Sequence, residues 1–127
     1  MKPLPPLDEC IKRLHSRIEL HHVAAGFLFK THKKATHGQV YVAAALHRSI
    51  SLVRGFCALI PDNYISAASL VRLQLDSTLR FSALSFVADP EDFAKKVSSG
   101  ERINKLEDRE GERMTDAYLV RNRVRNR

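Results

Sequence analysis

The run PDNYISAASLVRLQLDSTLRFSALSFV, residues 61–87, decides the fold class. Pro61 cannot donate the next helical hydrogen bond, so it ends the helix before it, and Asp62 or Asn63 is placed to cap the one after it. That third helix is expected to run to about Val87. Ile65, Ala68, Leu70, Val71, Leu73, Leu75, Leu79, Phe81, Leu84 and Phe86 lie nearly all round it. A helix with that pattern is central in its bundle or buried in an oligomer interface.

Toward the N-terminus, Val42, Leu46, Ile50, Val53, Phe56 and Ile60 recur every three or four residues, the buried stripe of a second helix starting at about Gln39. A polar, basic connection, Lys30 to Gly38, precedes it. Leu7, Ile11, Leu14, Ile18, His21, Ala25 and Leu28 then mark one face of a first helix. Its start is signalled by Pro5 and Pro6 followed by Asp8 and Glu9, acidic side chains at the positive end of the helix dipole.

Toward the C-terminus, Asp89-Pro90-Glu91-Asp92 opens a short fourth helix over Phe93 to Val97, closed by Ser98-Ser99-Gly100. Residues 101–114 are densely charged, with only Ile103, Leu106 and Met114 as apolar anchors and Gly111 as a turn. That segment reads either as an ordered loop pairing its own ions or as a solvated one. Thr115-Asp116 caps a last helix through Val120, and residues 115–127 are expected to fray or to be a truncated helix. No strand alternation and no repeat is visible. The expectation is one all-α domain over residues 1–127, an antiparallel, up-and-down bundle, dimeric through the third helix or the face beside it.

The 127 residues suffice for a core without disulfides or metals. Cys10 and Cys57 are too few for a disulfide framework and read as free thiols in a reducing cytoplasm. The N-terminus lacks the apolar stretch of a signal peptide, and the least charged run, Ala35 to His47, is too short and polar for a bilayer. No membrane association is expected. The net charge of +7 is uneven: residues 1–60 carry nine Lys/Arg against three Asp/Glu, together with all six histidines. Four arginines fall in the last seven positions. Such an excess suits RNA or another polyanion. The Arg-rich end reads as a phosphate contact, a disordered terminus or the mark of a shortened chain.

Arg72, Asp76 and Arg80, spaced by four, share one face of the third helix with Ser69 one turn earlier. Charges on so apolar a helix cost desolvation unless paired. Either Asp76 bridges both arginines, or an arginine is free to hold an anion, for which guanidinium geometry is suited. Arg48 on the second helix joins Arg72, Asp76 and Arg80 as an anion-binding candidate, and His47 and Arg72 are the catalytic candidates. His21 falls on the apolar face of the first helix and reads as an interior histidine with one hydrogen-bonded nitrogen. No histidine or cysteine spacing suits a metal, so neither metal nor cofactor is expected. Glycine-rich phosphate loops and nucleophile-elbow patterns are absent from the sequence.

Val40-Tyr41-Val42-Ala43-Ala44-Ala45-Leu46-His47-Arg48-Ser49-Ile50, then Ala67-Ala68-Ser69-Leu70-Val71-Arg72-Leu73-Gln74-Leu75-Asp76, then Gly100 to Asp116, resemble a group of uncharacterised bacterial helical proteins distantly similar to HEPN domains. The resemblance covers roughly residues 38–120. It implies a small dimeric helical bundle. Many such domains are metal-independent ribonucleases of toxin–antitoxin and phage-defence systems, and others only bind nucleotides or partners. Their signature is an arginine, a polar residue and a histidine four to six positions beyond the arginine, on a late helix. Arg17-Ile18-Glu19-Leu20-His21-His22 has the spacing but lies on the first helix, with Ile18 where a polar residue belongs. Arg121-Asn122 begins such a signature, and no histidine follows through Arg127, which fits a chain continuing further in its relatives.

Two functions therefore compete. One is an RNA-associated, HEPN-like protein, catalytic or an inactive relative, with Arg72, Arg80 and His47 or His22 facing a phosphate. The other is a non-catalytic dimeric interaction module, such as an antitoxin-like partner, with Arg72, Asp76 and Arg80 as internal ion pairs.

Overall fold

The computed structural model describes residues 3–30 and 34–125. The described residues form five α-helices and no strand. They are α1 (Leu7–Leu28), α2 (His37–Leu59), α3 (Tyr64–Ser82), α4 (Pro90–Ser98) and α5 (Asp116–Arg125), with 3₁₀ turns at Ala83–Ser85 and Ile103–Lys105. The architecture is an all-α bundle.

Local chemistry sets most boundaries. Thr36 and Gln39 form a reciprocal capping box at the start of α2, which begins at His37 rather than at Gln39. Gln39 Nε2 also donates to the Leu28 carbonyl oxygen at 2.6 Å, tying the end of α1 to the start of α2. At the next break Asp62 and Asn63 donate to the Leu59 carbonyl, and Asn63 Oδ1 accepts from the Ser66 N–H at 3.0 Å. Asp89 caps α4 through the Glu91 and Asp92 amides, with Pro90 in the first turn. Gly100 ends α4 at φ 98°, its N–H on the Val97 carbonyl and the Glu101 N–H on the Lys96 carbonyl. That left-handed cap costs a glycine little, and it turns the chain back across the bundle.

Of the two placements expected for the third helix, the central one within its own bundle is not observed. The central helix is α2, which packs against α1, α3 and α4. By length and composition α2 is also long and apolar enough to cross a bilayer, with a mean hydropathy of 1.3 over its best window. The third helix is not central: Ile65 is 84% exposed and Leu75 66%. Its main contacts are with α2, α5 and the following 3₁₀ turn, and Tyr64, Ile65 and Leu75 stay mostly exposed. It also ends at Ser82 and tightens into the 3₁₀ turn before Val87.

The principal core lies at the other end. Ala83, Phe93, Leu106, Met114, Tyr118 and Leu119 form one buried cluster, flanked by Tyr41, Leu79, Phe86 and Val97. Phe86 meets Tyr118 edge-on, with ring centres 5.8 Å apart, and Tyr41 meets Phe93 in the same way at 5.6 Å.

Between α4 and α5 the charged segment is ordered by hydrogen bonds. Arg109 donates from its backbone N–H to the Phe86 carbonyl at 3.0 Å and from Nη2 to the Ser85 carbonyl at 2.6 Å. Asp108 accepts from the Glu110 and Glu112 amides and from the Tyr118 hydroxyl, the last at 2.5 Å. Gly111, at φ 84°, closes the turn, and an isolated antiparallel bridge joins Glu107 to Arg113. Residues 116–125 are helical, so the last helix extends beyond Val120, while Asn126 and Arg127 lie outside the described residues.

Candidate functional site

A cleft of about 770 Å³ opens between α2, α3 and the segment after α4. Helical spacing builds two of its walls. Tyr41, Ala44, Ala45 and Arg48 project from one face of α2, and Asp76, Ser77, Arg80 and Phe81 from one face of α3. Two small alanines leave the room. The third wall is Val97 with Glu101, Arg102, Ile103 and Asn104, and Asp116 at the start of α5 completes the lining. The volume falls in the range of small-ligand sites, and an apolar floor with a few convergent polar groups is their usual composition.

Its charges are mixed and only partly committed. Asp76 Oδ1 meets Arg80 Nε at 3.3 Å, with both side chains more than a third exposed. Arg48 donates from Nε to Ser77 Oγ at 2.7 Å and forms no ion pair among the described residues. Arg102, Glu101 and Asp116 form no ion pair among the described residues. Burial pushes the Tyr41 phenol above its ordinary value, so it stays a protonated donor. Its ring stacks on Phe81 with centres 6.1 Å apart.

Of the residues singled out from sequence, Arg48, Asp76 and Arg80 come together here; Arg72 and His47 do not line the cleft. Arg72 is exposed on α3, and Asp76 pairs with Arg80 alone, not with both arginines. His47 is exposed on the neighbouring face of α2, since one residue along a helix turns the side chain by about 100°. His22 Nε2 lies 3.3 Å from Arg54 Nη2, on the side where α1 meets α2. His21 carries a buried Nδ1 with no hydrogen-bond partner, against the expectation of one bonded nitrogen. Among the described residues no cluster of three His, Cys, Asp or Glu side chains is placed to hold a metal ion, and Cys10 and Cys57 are free.

The sequence reading missed Arg102, Glu101, Asn104 and Asp116. The signal available was Gly100: a left-handed cap returns the chain toward the helices it has just left, so the charged residues after it face the bundle. Comparison with known protein families, curated proteins and solved structures finds no match for this chain.

Proposed function

We propose that this chain is an RNA-associated helical-bundle protein whose α2–α3 cleft binds a single-stranded segment without cutting it. The supporting observation is that Arg48, Arg80 and Arg102 line one open cleft while a single ion pair is formed there, between Arg80 and Asp76. The carboxylates beside them are compatible with this reading, because a nucleotide offers both an anionic phosphate and donors on its ribose and base. Arginines meet the first, Glu101 and Asp116 accept from the second, and Tyr41 and Phe81 supply flat apolar surface. The net charge of +7 favours approach to a polyanion. The resemblance to HEPN domains agrees with an RNA partner.

Binding rather than cleavage is favoured because no histidine is among the described residues that line the cleft. Metal-free cleavage wants a base with a pKa near neutrality beside the ribose 2′-hydroxyl, and histidine supplies that most simply.

The test is fluorescence anisotropy with a labelled single-stranded RNA across a salt series. Saturable binding should weaken with salt, and Arg48→Ala and Arg102→Ala should each lower the slope by about 0.7 as one phosphate contact is lost. Arg72→Ala should leave the slope unchanged. Total RNA incubated with the protein in EDTA should remain intact. Absence of saturable binding at low salt would end the reading, and RNA cleavage lost on His47→Ala would restore the catalytic one.

A further inference from the structure

The cleft wall built from residues 101–104 has an ordered backbone and uncommitted side-chain tips. Gly100 turns the chain, and the Glu101 N–H returns to the Lys96 carbonyl at 3.1 Å. The Lys105 and Leu106 amides close the 3₁₀ turn on the Arg102 and Ile103 carbonyls at 2.9 and 3.0 Å. Leu106 belongs to the buried cluster and Ile103 packs against it. Glu101 and Asn104 are nonetheless exposed, and among the described residues neither makes a side-chain hydrogen bond or an ion pair. A carboxylate in a cleft for a polyanion opposes phosphate unless it meets a donor. Local structure does not account for Glu101, because Lys96, the cation that feels its charge, is held by Asp92 at 2.7 Å. Asp116 differs: it stands in the first turn of α5, where a carboxylate is favourable to the helix dipole by itself.

We propose that the cleft selects guanine, with Glu101 as its specificity-determining residue, an inference that rests on single-stranded RNA being the occupant. The Watson–Crick edge of guanine presents the O6 acceptor beside two adjacent donors, N1–H and the N2 amine. An ionised carboxylate accepts both at once, one on each oxygen, as it does from an arginine fork. Asn104, on the same wall, donates from Nδ2 to O6. No other RNA base matches this set. Adenine and cytosine each offer one exocyclic amine beside a ring-nitrogen lone pair, and that lone pair faces the second carboxylate oxygen. Uracil offers one N–H between two carbonyl oxygens. Each of these leaves the carboxylate against an acceptor, which penalises the wrong base as well as rewarding the right one. The remaining lining groups do not discriminate: Tyr41 and Phe81 offer flat surface to any base, and Arg48 and Arg80 meet phosphate. The choice of base therefore falls to Glu101, and the ordered turn beneath it fixes where its carboxylate starts from.

Fluorescence anisotropy of the full chain with labelled single-stranded uridine oligomers tests this, each oligomer carrying one central guanosine, adenosine, inosine or uridine. Wild type should bind the guanosine oligomer roughly 5- to 100-fold more tightly than the adenosine or all-uridine one, the range of one bidentate base contact. Inosine keeps O6 and N1–H but lacks the N2 amine, so its oligomer should fall between them. Glu101→Gln should bring guanosine to the level of adenosine and leave the all-uridine oligomer bound at least as tightly, since a repulsive charge is gone. Its helical circular-dichroism spectrum should be unchanged, because the side chain is exposed. Glu110→Gln removes the same charge from a residue that does not line the cleft and should keep the preference. Equal binding of every oligomer by wild type overturns guanine selection and leaves RNA binding standing. Inosine bound as tightly as guanosine overturns the two-donor contact, and a preference that survives Glu101→Gln overturns the role of that residue. A chain that binds none of the oligomers at low salt overturns both this proposal and the RNA-binding function beneath it.

Discussion

The two ends of this molecule invert the usual relation between sequence and burial. Residues 83–119 include the most densely charged stretch of the chain, yet they supply the buried cluster of Ala83, Phe93, Leu106, Met114, Tyr118 and Leu119. The three long helices hold most of the apolar residues, yet α1 and α3 leave Phe27, Ile65 and Leu75 more than half exposed. A few anchors suffice in the first region because turns aim them at one point, and hydrogen bonds donated by Arg109 and accepted by the Asp108 carboxylate fix the turns. In the second, α2 alone cannot cover the circumference of both neighbours. Burial follows from how many surfaces converge on a side chain, not from how apolar its own segment is.

The largest effect expected from this contrast is on stability. Leu119→Ala removes a fully buried side chain and should cost about 2 to 5 kcal/mol in urea denaturation. Leu20→Ala, at a side chain 54% exposed, should cost less than about 1 kcal/mol. Equal losses at the two sites would break the comparison.

A smaller and pH-dependent effect is expected at the hydrogen bond that holds the charged loop. The Tyr118 hydroxyl, together with the loop amides, holds the Asp108 carboxyl below its ordinary value, and desolvation and Asp108 raise the Tyr118 phenol from 10.0 to about 12. A depressed carboxyl contributes stability at neutral pH that is lost as pH falls through its folded-state value, below about 4. A raised phenol contributes stability that is complete below pH 10.0 and lost as pH rises toward about 12. Tyr118→Phe should therefore cost about 1 kcal/mol at pH 7 and flatten the stability profile at both extremes. An unchanged alkaline limb would show that the bond does not hold the loop.

The most local effect is expected at the start of α2, which touches α4 through the Gly38 N–H on Glu91 Oε1. Thr36→Ala removes the hydroxyl that accepts the Gln39 N–H in the capping box of α2 and should cost about 1 kcal/mol. Amide hydrogen exchange should locate the change in the first turn of α2 and leave α4 and α5 protected. Spread of the effect into α5 would mean that the two regions unfold as one unit.

Much of the fold was legible because its punctuation is local. Pro61 with Asn63, Asp89 with Pro90, and Gly100 each act through neighbours within four residues, and each marks a boundary in the structure. The cleft was half legible. Arg48, Asp76 and Arg80 were identified as charges on two apolar helices, and helical spacing alone puts Asp76 and Arg80 on one face. Arg102 and Asp116 were not, because mixed-sign sequence carries no period that says which charges turn inward. Arg72 was overestimated for a related reason: spacing by four places it near Asp76, but only one of two equivalent arginines is paired.

The sequence by itself determined that the chain is helical, where the breaks between its first four helices fall, and which of their faces are apolar, since these depend on backbone sterics, capping and periodicity within a few residues. The tertiary structure alone decided which apolar faces are covered, that α2 rather than α3 is central, and that the segment after Gly100 forms one wall of an open cleft beside Arg48 and Arg80. Those outcomes depend on distant segments competing for the same surface, and that competition is settled only when the chain is folded.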